Sequence, residues 1–287
     1  MDLRDYPRAT MLPGAESIEI INPDIERGKI RFALFDFDGT ISLIRQGWQD
    51  VMVPMMVDHL MALNTGESPD DVHLIVKEFV TRLTGKQTIY QMIELADQIT
   101  QRGGTPGDPL EYKHQYLDLL WEQIKDRVAG LKAGRITPDE FAVPGALDMV
   151  AALAARGTEL YVASGTDHAS VVDEASCLGV EKYFGDRIYG ALDDYKTFSK
   201  AILIEKLIRQ NSLHGAEFVT FGDGYVEIEN CKEVGGIAVG VATEEYKREG
   251  MDEWKRNRLI DAGADIIIPD FREHAKVIAY LFGEASR

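Results

Sequence analysis

The 287-residue sequence predicts an α/β fold, a doubly wound parallel sheet with an inserted set of helices. Three observations predict it. An apolar run of strand composition ends in acidic residues early in the chain, and a long stretch with only helical periodicity follows it. Strand-like and helix-like segments then alternate through the rest of the sequence. Such alternation is typical of a parallel sheet, because each connecting helix packs against a face of the sheet.

The first core strand is predicted over Ile30–Phe37. This run has the length and the β-branched and aromatic content of a buried strand. Asp36 and Asp38 stand at its end, and Gly39 allows the backbone to turn tightly after them. Ligands bind at the carboxyl ends of strands in open α/β sheets. Two neighbouring carboxylates that must stay charged favour the binding of a divalent cation with oxygen ligands. The alternative interpretation is an ordinary strand followed by an Asp-Gly turn.

Residues 45–136 are predicted to form a helical domain inserted after this strand. Apolar residues recur at helical spacing over Val72–Leu83, and Ser68 is suited to cap the start of that helix. Thr88 and Gln91 form a capping-box pattern that opens the next helix.

The core is assigned to residues 30–44 and 137–287, and residues 1–29 are assigned to a leader that packs on it and carries a short strand over Ser17–Ile21. Further core strands are predicted over Glu159–Ala163, around Ile188, and over Glu217–Phe221, Gly236–Val241 and Asp265–Ile268. Helices are predicted over Gly145–Arg156, from about Asp167, over Ser199–Arg209 and Val226–Val234, and from Phe271. The inserted helices are therefore expected above the carboxyl ends of the strands.

The composition narrows the classes of function. The net charge of -17, from 31 basic and 48 acidic residues, opposes a surface for nucleic acid or anionic membranes. Cys177 and Cys231 lack the spacing of a disulfide framework or a zinc site, which favours a reducing compartment. The sequence shows neither a secretory signal pattern nor an apolar run of membrane-spanning length. We therefore expect a cytoplasmic monomer or homodimer that acts on small molecules.

Two further polar features lie later in the sequence, one at the end of a predicted strand and one at the start of a predicted helix. Ser164 and Gly165 stand at the end of the second core strand with a helix start beyond, and a hydroxyl with free backbone N–H groups can bind phosphate there. Lys200 opens a predicted helix, where a cation is unfavourable to the helix dipole unless it reaches an anion. Each feature alone is also explained as a helix cap or a solvated surface.

A further acidic pair follows the predicted strand Glu217–Phe221. Asp223 lies at the end of this strand, and Glu227 lies four residues further on. Both carboxylates are expected at the same edge of the sheet as Asp36, since the strands run parallel. A turn followed by a helix start is the simpler explanation of this pair taken alone.

In this order, the four groups resemble the motifs of the haloacid dehalogenase (HAD) superfamily, phosphohydrolases with an aspartate nucleophile. The matching residues are Asp36-Phe-Asp38-Gly-Thr40, Ser164, Lys200 and Gly222-Asp223-Gly-Tyr-Val-Glu227. The resemblance covers roughly residues 30–282 and implies a Rossmann-like core with an α-helical cap, as in phosphoglycolate phosphatase and β-phosphoglucomutase. Lys200 is preferred to Lys196 because Asp223 follows it by 23 residues, close to the usual spacing in the family. Lys196 is the second candidate.

The resemblance implies a role for each acidic residue. Asp36 would be the nucleophile that forms an aspartyl-phosphate, and Asp38 would be the general acid and then the general base. Mg²⁺ would be bound by Asp36, by the backbone carbonyl of Asp38 and by Asp223. Glu227 stands where Asp is commoner, and it would bind the metal directly or through water.

The resemblance also implies how the phosphoryl group is bound. Lys200, Ser164 and the N–H groups of Gly39 and Gly165 would bind its oxygens and stabilise the transition state. Thr40 would lie beside the phosphate as an orienting residue.

The inserted helices would act as a cap that closes over the site and recognises the leaving group. The turn Thr84–Thr88 is the candidate for this role, because Gly85 allows the turn and Lys86 and Gln87 can bind a polar or anionic group. Arg45, which follows the nucleophile loop, is a second candidate. An ordinary turn with a solvated lysine is the alternative interpretation.

The sequence therefore predicts a Mg²⁺-dependent phosphatase for a small phosphorylated metabolite. Asp38 favours phosphate esters, since a dehalogenase of this superfamily does not need that acid. A β-phosphoglucomutase-like mutase would use the same residues, and a phosphonate hydrolase would need a cap lysine such as Lys86. An inactive binding or regulatory module is the non-enzyme alternative, although the presence of Asp36, Lys200 and Asp223 argues against it.

Overall fold

The predicted doubly wound sheet is confirmed in a computed structural model that describes residues 5–192 and 199–284. The strands of this part of the chain form one sheet in the order β1-β2-β8-β7-β6-β3-β4-β5. The six strands from β8 to β5 run parallel, and β1 and β2 are antiparallel additions at one edge. The strands are β1 (Thr10–Met11), β2 (Glu19–Ile20), β3 (Phe32–Phe35), β4 (Glu159–Asp167), β5 (Ile188–Ala191), β6 (Phe218–Gly222), β7 (Ile237–Val241) and β8 (Ile266–Ile268).

Helices connect these strands. The long insertion between β3 and β4 begins with α1 (Trp48–Met61), α2 (Pro69–Arg82), α3 (Thr88–Gln101) and α4 (Pro109–Lys132). The others are α5 (Ala146–Ala155), α6 (His168–Cys177), α7 (Glu181–Phe184), α8 (Lys200–Asn211), α9 (Tyr225–Glu233), α10 (Glu253–Asp261) and α11 (His274–Leu281). None of the helices described is both long enough and apolar enough to span a bilayer.

The central strand is β3, which pairs with β4 on one side and β6 on the other. All four of its residues are buried, as expected for a parallel strand covered on both faces. The ring of Phe35 stacks on that of Phe221, with 4.7 Å between their centroids. The strand is shorter than the predicted Ile30–Phe37, because the Phe37 carbonyl already accepts from Ile41 and Ser42 in the loop. Asp36 therefore stands at the start of this loop.

Helix starts in the insertion follow the sequence pattern with one exception. The Ser68 side chain accepts from the N–H of Asp71 and caps α2, as predicted. The predicted capping box of Thr88 and Gln91 is wrong. The backbone is still extended at Gln87, so Thr88 is the first helical residue of α3 rather than its cap.

The leader contributes the predicted short strand. Glu19 of β2 pairs with Ile267 of β8, and β1 pairs with β2 in turn. The Glu19 carboxylate is 1% exposed and accepts from the Nη2 of Arg256 at 2.7 Å and the Nη1 of Arg8 at 2.6 Å. Arg256 also donates to a backbone carbonyl of the leader, that of Pro7. A buried ion pair therefore joins the leader to α10.

Helix α10 lies between Val241 and Asp265, where no element was predicted. Its start carries a helix signal, because the Asp252 side chain accepts from the N–H of Lys255 at 2.9 Å. The helix itself is rich in charged residues and gives little apolar periodicity. It contributes a side chain to the site described next.

Candidate active site

The predicted polar groups meet in one cleft at the carboxyl ends of β3, β4 and β6. Helices and turns of the insertion form its other wall, so core and insertion face each other across it. The lining includes Asp36, Asp38, Ser164, Lys200 and Asp223 from the core and Thr84, Gly85, Lys86, Gln91 and Tyr116 from the insertion.

Asp36 and Lys200 form a buried ion pair in this cleft. The Lys200 Nζ lies 3.0 Å from Asp36 Oδ1 and 2.9 Å from Glu227 Oε2. The other oxygen of Glu227 accepts from the N–H of Gly224 at 2.7 Å. Two carboxylates thus offset the unfavourable position of the Lys200 cation at the first residue of α8. The second candidate, Lys196, lies outside the described residues.

Asp223 is held by neighbours on three sides. Its N–H donates to Thr40 Oγ1 at 3.0 Å, and its Oδ2 accepts from Lys255 Nζ at 2.8 Å. Lys255 also bonds to Glu245 Oε1 at 2.7 Å. Gly39 has a φ of +75°, and a Cβ at this residue would overlap the Asp223 carboxylate. The N–H of Gly39 donates to the backbone carbonyl of residue 42 and is therefore already hydrogen-bonded in this structure.

Burial disfavours the ionised form of two acidic groups in the cleft, Asp36 and Asp223. Burial raises the pKa of Asp36 well above its usual range, the Lys200 ammonium opposes this, and the Glu227 and Asp223 carboxylates add to the rise. Burial also raises the pKa of Asp223 to about 6, although Lys255 opposes it. Negative charge in this cluster is therefore only partly compensated by the two lysines.

The cluster fits a divalent cation. One carboxylate oxygen from each of Asp36, Asp223 and Glu227 can be chosen so that all three lie within 4.8 Å of one another. Carboxylate oxygens are the ligands that Mg²⁺ and similar hard cations prefer. A cation bound here would also offset the charge that burial makes unfavourable.

Asp38 has a different setting. Its Oδ2 accepts from Thr166 Oγ1 at 2.8 Å and from Ser164 Oγ at 3.3 Å. The β4 strand continues to Asp167, so Ser164 and Gly165 lie within the strand rather than directly before a helix as predicted. The strand is longer because Asp167 pairs with β5 after a shift in register. This extension places the hydroxyls of residues 164 and 166 on the same side, facing Asp38.

Arg45 lines the cleft near Asp38 and is paired with a glutamate. Its guanidinium Nη2 and Nε donate to Glu174 Oε1 at 2.7 and 2.9 Å, and Nε lies 3.9 Å from Asp38 Oδ1. That Asp38 oxygen is buried without a hydrogen-bond partner in the described part of the chain. Burial raises the pKa of Glu174 to about 7 against the opposing effect of Arg45. The predicted contact of Arg45 with substrate stays a prediction.

The turn Thr84–Thr88 lies against two glycines of the core. A Cβ at Gly85 would lie 3.4 Å from the Cα of Gly224, and a Cβ at Gly165 would lie 2.7 Å from the carbonyl oxygen of Lys86. The Lys86 ammonium lies 5.9 Å from the centroid of the Tyr90 ring. Lys86 lines the cleft, and Gln87 of the same turn is buried.

A family model decides the classification of this site. The model described as "Hydrolase: haloacid dehalogenase-like hydrolase" matches residues 30–235, which is well over half of the chain. The chain belongs to the haloacid dehalogenase-like hydrolase family. The resemblance inferred from the sequence is therefore confirmed, and the protein is a hydrolase of this family.

Solved structures share the fold of this HAD-like hydrolase at low sequence identity, whereas no curated protein matches it in sequence. A predicted phosphoglycolate phosphatase from Haemophilus somnus 129pt is 15% identical with a TM-score of 0.57, over 87% of this chain and 98% of that one. A HAD hydrolase, family IA, variant 3, from Entamoeba histolytica HM-1:IMSS is 17% identical with a TM-score of 0.58, over 89% and 100%. A HAD family hydrolase from Deinococcus radiodurans R1, with bound phosphate and sodium, is 18% identical with a TM-score of 0.50, over 88% and 96%.

Several polar residues around the site of this HAD-like hydrolase were not predicted from the sequence, among them Thr166, Glu174 and Lys255. Thr166 carried a usable signal, since alternate residues of a strand share a face and Ser164 was already a candidate. Glu174 and Lys255 carried no such signal. Glu174 pairs with Arg45 and Lys255 pairs with Asp223, and in each pair the two residues are far apart in the sequence.

Proposed function

We propose that this hydrolase is a Mg²⁺-dependent phosphatase that cleaves a phosphate monoester of a small metabolite through an aspartyl-phosphate intermediate. One observation carries the proposal. Asp36 and Asp38 face the same cleft, but Asp36 lies beside the Lys200 ammonium at 3.0 Å and Asp38 lies beside the hydroxyls of Thr166 and Ser164. Two carboxylates in such different settings can take the separate roles of nucleophile and acid–base group.

The similar structures support the same chemistry. One is a predicted phosphoglycolate phosphatase, and another was solved with bound phosphate and sodium. The acidic cluster of Asp36, Asp223 and Glu227 supports a divalent metal beside the phosphate. The net charge of -17 favours a small phosphorylated molecule over a polyanion as substrate.

In the first step, an oxygen of the Asp36 carboxylate attacks phosphorus and the bond from phosphorus to the leaving oxygen breaks. The Lys200 ammonium opposes the protonation of Asp36 and, with Ser164, binds phosphoryl oxygens. Asp38, in its carboxylic acid form, gives its proton to the leaving oxygen, so the alcohol departs neutral. Thr166 orients Asp38 for this transfer.

In the second step, Asp38 acts as a base. Its carboxylate takes a proton from water, and the water oxygen attacks phosphorus. The bond between phosphorus and the Asp36 carboxylate oxygen breaks, which releases inorganic phosphate and regenerates the carboxylate. Asp38 thereby returns to its protonated form.

Asp36, the backbone carbonyl of Asp38, Asp223 and Glu227 would hold Mg²⁺, with Glu227 direct or through water. Bound Mg²⁺ supplies screening of the charge between the carboxylates and the phosphate. Thr40 orients Asp223 through the N–H of that residue, and Gly39 leaves room for its carboxylate.

Residues 45–136 are proposed to be the cap. They close the cleft from the side of the leaving group, and Lys86 and Arg45 lie where they can bind polar parts of the substrate. Closure removes water from the site and strengthens each electrostatic interaction within it.

The test is phosphate release from para-nitrophenyl phosphate with and without Mg²⁺. We expect release by the wild-type protein, loss of release with a chelator, and a fall of at least about a thousandfold for Asp36→Asn. Asp148→Asn, at an exposed position on α5, is the matched control and should keep full activity. No release above that of Asp36→Asn would refute the enzyme proposal in favour of a binding module.

A panel of phosphorylated metabolites identifies the substrate. Both free phosphate and isomerised product should be measured for each compound. Free phosphate as the main product supports the phosphatase. Isomerised product without phosphate release would overturn it in favour of a mutase.

A further inference from the structure

The carboxyl end of α2 is capped by an arginine from the core. Arg258 of α10 donates from Nη1 to the carbonyl of Thr81 at 2.7 Å and from Nη2 to those of Arg82 and Thr84 at 2.9 and 3.4 Å. The last carbonyls of a helix have no partner within the helix, and a cation there is favourable to the helix dipole. The first two carbonyls lie just before the turn Thr84–Thr88 that lines the cleft, and the third belongs to the first residue of that turn.

The guanidinium of Arg258 is fixed from the core side. It lies 4.5 Å from the centroid of the Tyr225 ring and 5.0 Å from that of Trp254, and the residue is 6% exposed. Aromatic faces attract a guanidinium and limit its rotation. Tyr225 is the first residue of α9 and stands two positions after Asp223. Arg258 therefore joins the start of α9, next to the loop that carries Asp223, to the end of α2.

The backbone of the turn lies directly on the core at two places, and Gln87 of the same turn is buried. The contacts of the turn with the core include the close approaches of Gly85 to Gly224 and of Lys86 to Gly165, which involve backbone atoms. Backbone contacts of this kind bury little apolar surface and contribute little to the free energy of docking. The hydrogen bonds from Arg258 are charge-assisted and are the stronger attachment.

We propose that Arg258 is a positioning residue that holds the turn Thr84–Thr88 in place over the active site. This inference rests on the proposed function, in which the turn closes the cleft beside the phosphate. With Arg258 present, the turn stays docked on Gly224 and Gly165 and the cleft excludes water. Without it, the end of α2 loses its cap and the turn leaves the core more often, so substrate binds less tightly.

The first test is amide hydrogen exchange of the full-length protein without ligand. In Arg258→Met, we expect exchange at residues 83–90 to be about tenfold faster than in the wild-type protein, because the charge-assisted hydrogen bonds to the end of α2 are lost. Arg258→Lys should give an intermediate rate, since one ammonium cannot reach three carbonyls.

Arg256→Met is the matched control on the same helix. Arg256 is also buried, but it bonds to Glu19 and the leader rather than to α2. This variant tests whether a weakened α10 alone releases the turn. Equal exchange at residues 83–90 in wild-type and Arg258→Met, or the same increase in Arg256→Met, would overturn the proposal.

Kinetics with para-nitrophenyl phosphate give the second readout. We expect KM of Arg258→Met to rise about tenfold with kcat changed by less than about twofold, and KM of Arg258→Lys to recover in part. A fall in kcat with unchanged KM would contradict the positioning role. If the wild-type protein itself releases no phosphate, the phosphatase proposal fails, and the exchange experiment still decides the role of Arg258.

Discussion

Two aspartates one residue apart show how the setting of a side chain determines its chemistry. Asp36 is 6% exposed and lies among Lys200 and two further carboxylates. Asp38 is bound by hydroxyl groups on one oxygen, and its other oxygen has no hydrogen-bond partner in the described residues. In the proposed reaction, Asp36 would be the nucleophile beside a bound metal, and Lys200 opposes its protonation. Asp38 would be the acid–base group of that reaction, held by the hydroxyl groups of Thr166 and Ser164.

Thr166 should be a positioning residue for Asp38. In Thr166→Val, we expect kcat for para-nitrophenyl phosphate to fall about tenfold, because a hydrogen bond to a charged group contributes about 1.5 kcal/mol. Steady-state kinetics at saturating substrate measure this. Thr166→Ser keeps the hydroxyl and should retain most of the activity.

Thr158→Val is the matched control for this substitution. Thr158 lies just before the start of the same strand, is buried, and its hydroxyl has no hydrogen-bond partner in the described chain. It should keep its kcat. An equal loss of kcat in both valine variants would show that the effect comes from the strand and not from the bond to Asp38.

At the scale of elements, α10 connects three parts of the molecule. Neighbouring residues of a helix point in different directions, so Lys255, Arg256 and Arg258 reach different partners. Lys255 binds Asp223, Arg256 binds Glu19 of the leader, and Arg258 binds the end of α2. A helix of nine residues thus joins the site, the leader and the insertion.

The start of α10 should matter for stability. In Asp252→Ala, we expect the free energy of unfolding to fall by about 1 kcal/mol, because the cap of the Lys255 N–H is lost. Urea denaturation of the full-length protein measures this. Asp252→Asn keeps a capping oxygen and should unfold close to the wild-type midpoint. A stability loss as large in Asn as in Ala would argue that charge rather than capping is responsible.

The elements differ in how well the sequence predicted them. Apolar strands such as β3 and β6 were predicted within two residues at each end, because burial on both faces leaves a continuous apolar run. Helix α10 was missed because it buries cations, which a hydrophobic pattern assigns to the surface. The motif residues at strand ends were found by their order in the chain. The residues that orient them, such as Lys255, depend on tertiary contacts and leave no local pattern.

At the scale of the whole molecule, the buried pair of Glu19 and Arg256 ties the leader to the core. Burial acts to raise the pKa of Glu19, but hydrogen bonds from Arg256, from the N–H of Ala9 and from Arg8 outweigh it, so the pKa lies below its usual value. A carboxyl group with a lowered pKa stabilises the folded state above about pH 4.5, its unfolded value. This stability is lost as the pH falls through the folded pKa.

Glu19→Gln should therefore destabilise the protein in a pH-dependent way. At pH 7, we expect the free energy of unfolding to fall by about 3 kcal/mol, because Arg256 is left buried without its counter-ion. The difference from wild type should shrink as the pH drops below about 4.5. Urea denaturation at several pH values measures it, with Glu26→Gln at an exposed leader position as the control. A difference that stays constant with pH would contradict the assignment.

The two short leader strands also determine which backbone groups are exposed at this edge of the sheet. Without them, β8 would present the open backbone of Ile266–Ile268 as a template for strand addition from a second chain. With them, the outermost strand on this side is β1, only two residues long and lying between Pro7 and Pro13. Proline cannot donate to a sheet ladder, and so short a strand gives an incoming segment few partners. The leader therefore covers the edge of β8 to which a strand of a second chain could otherwise pair.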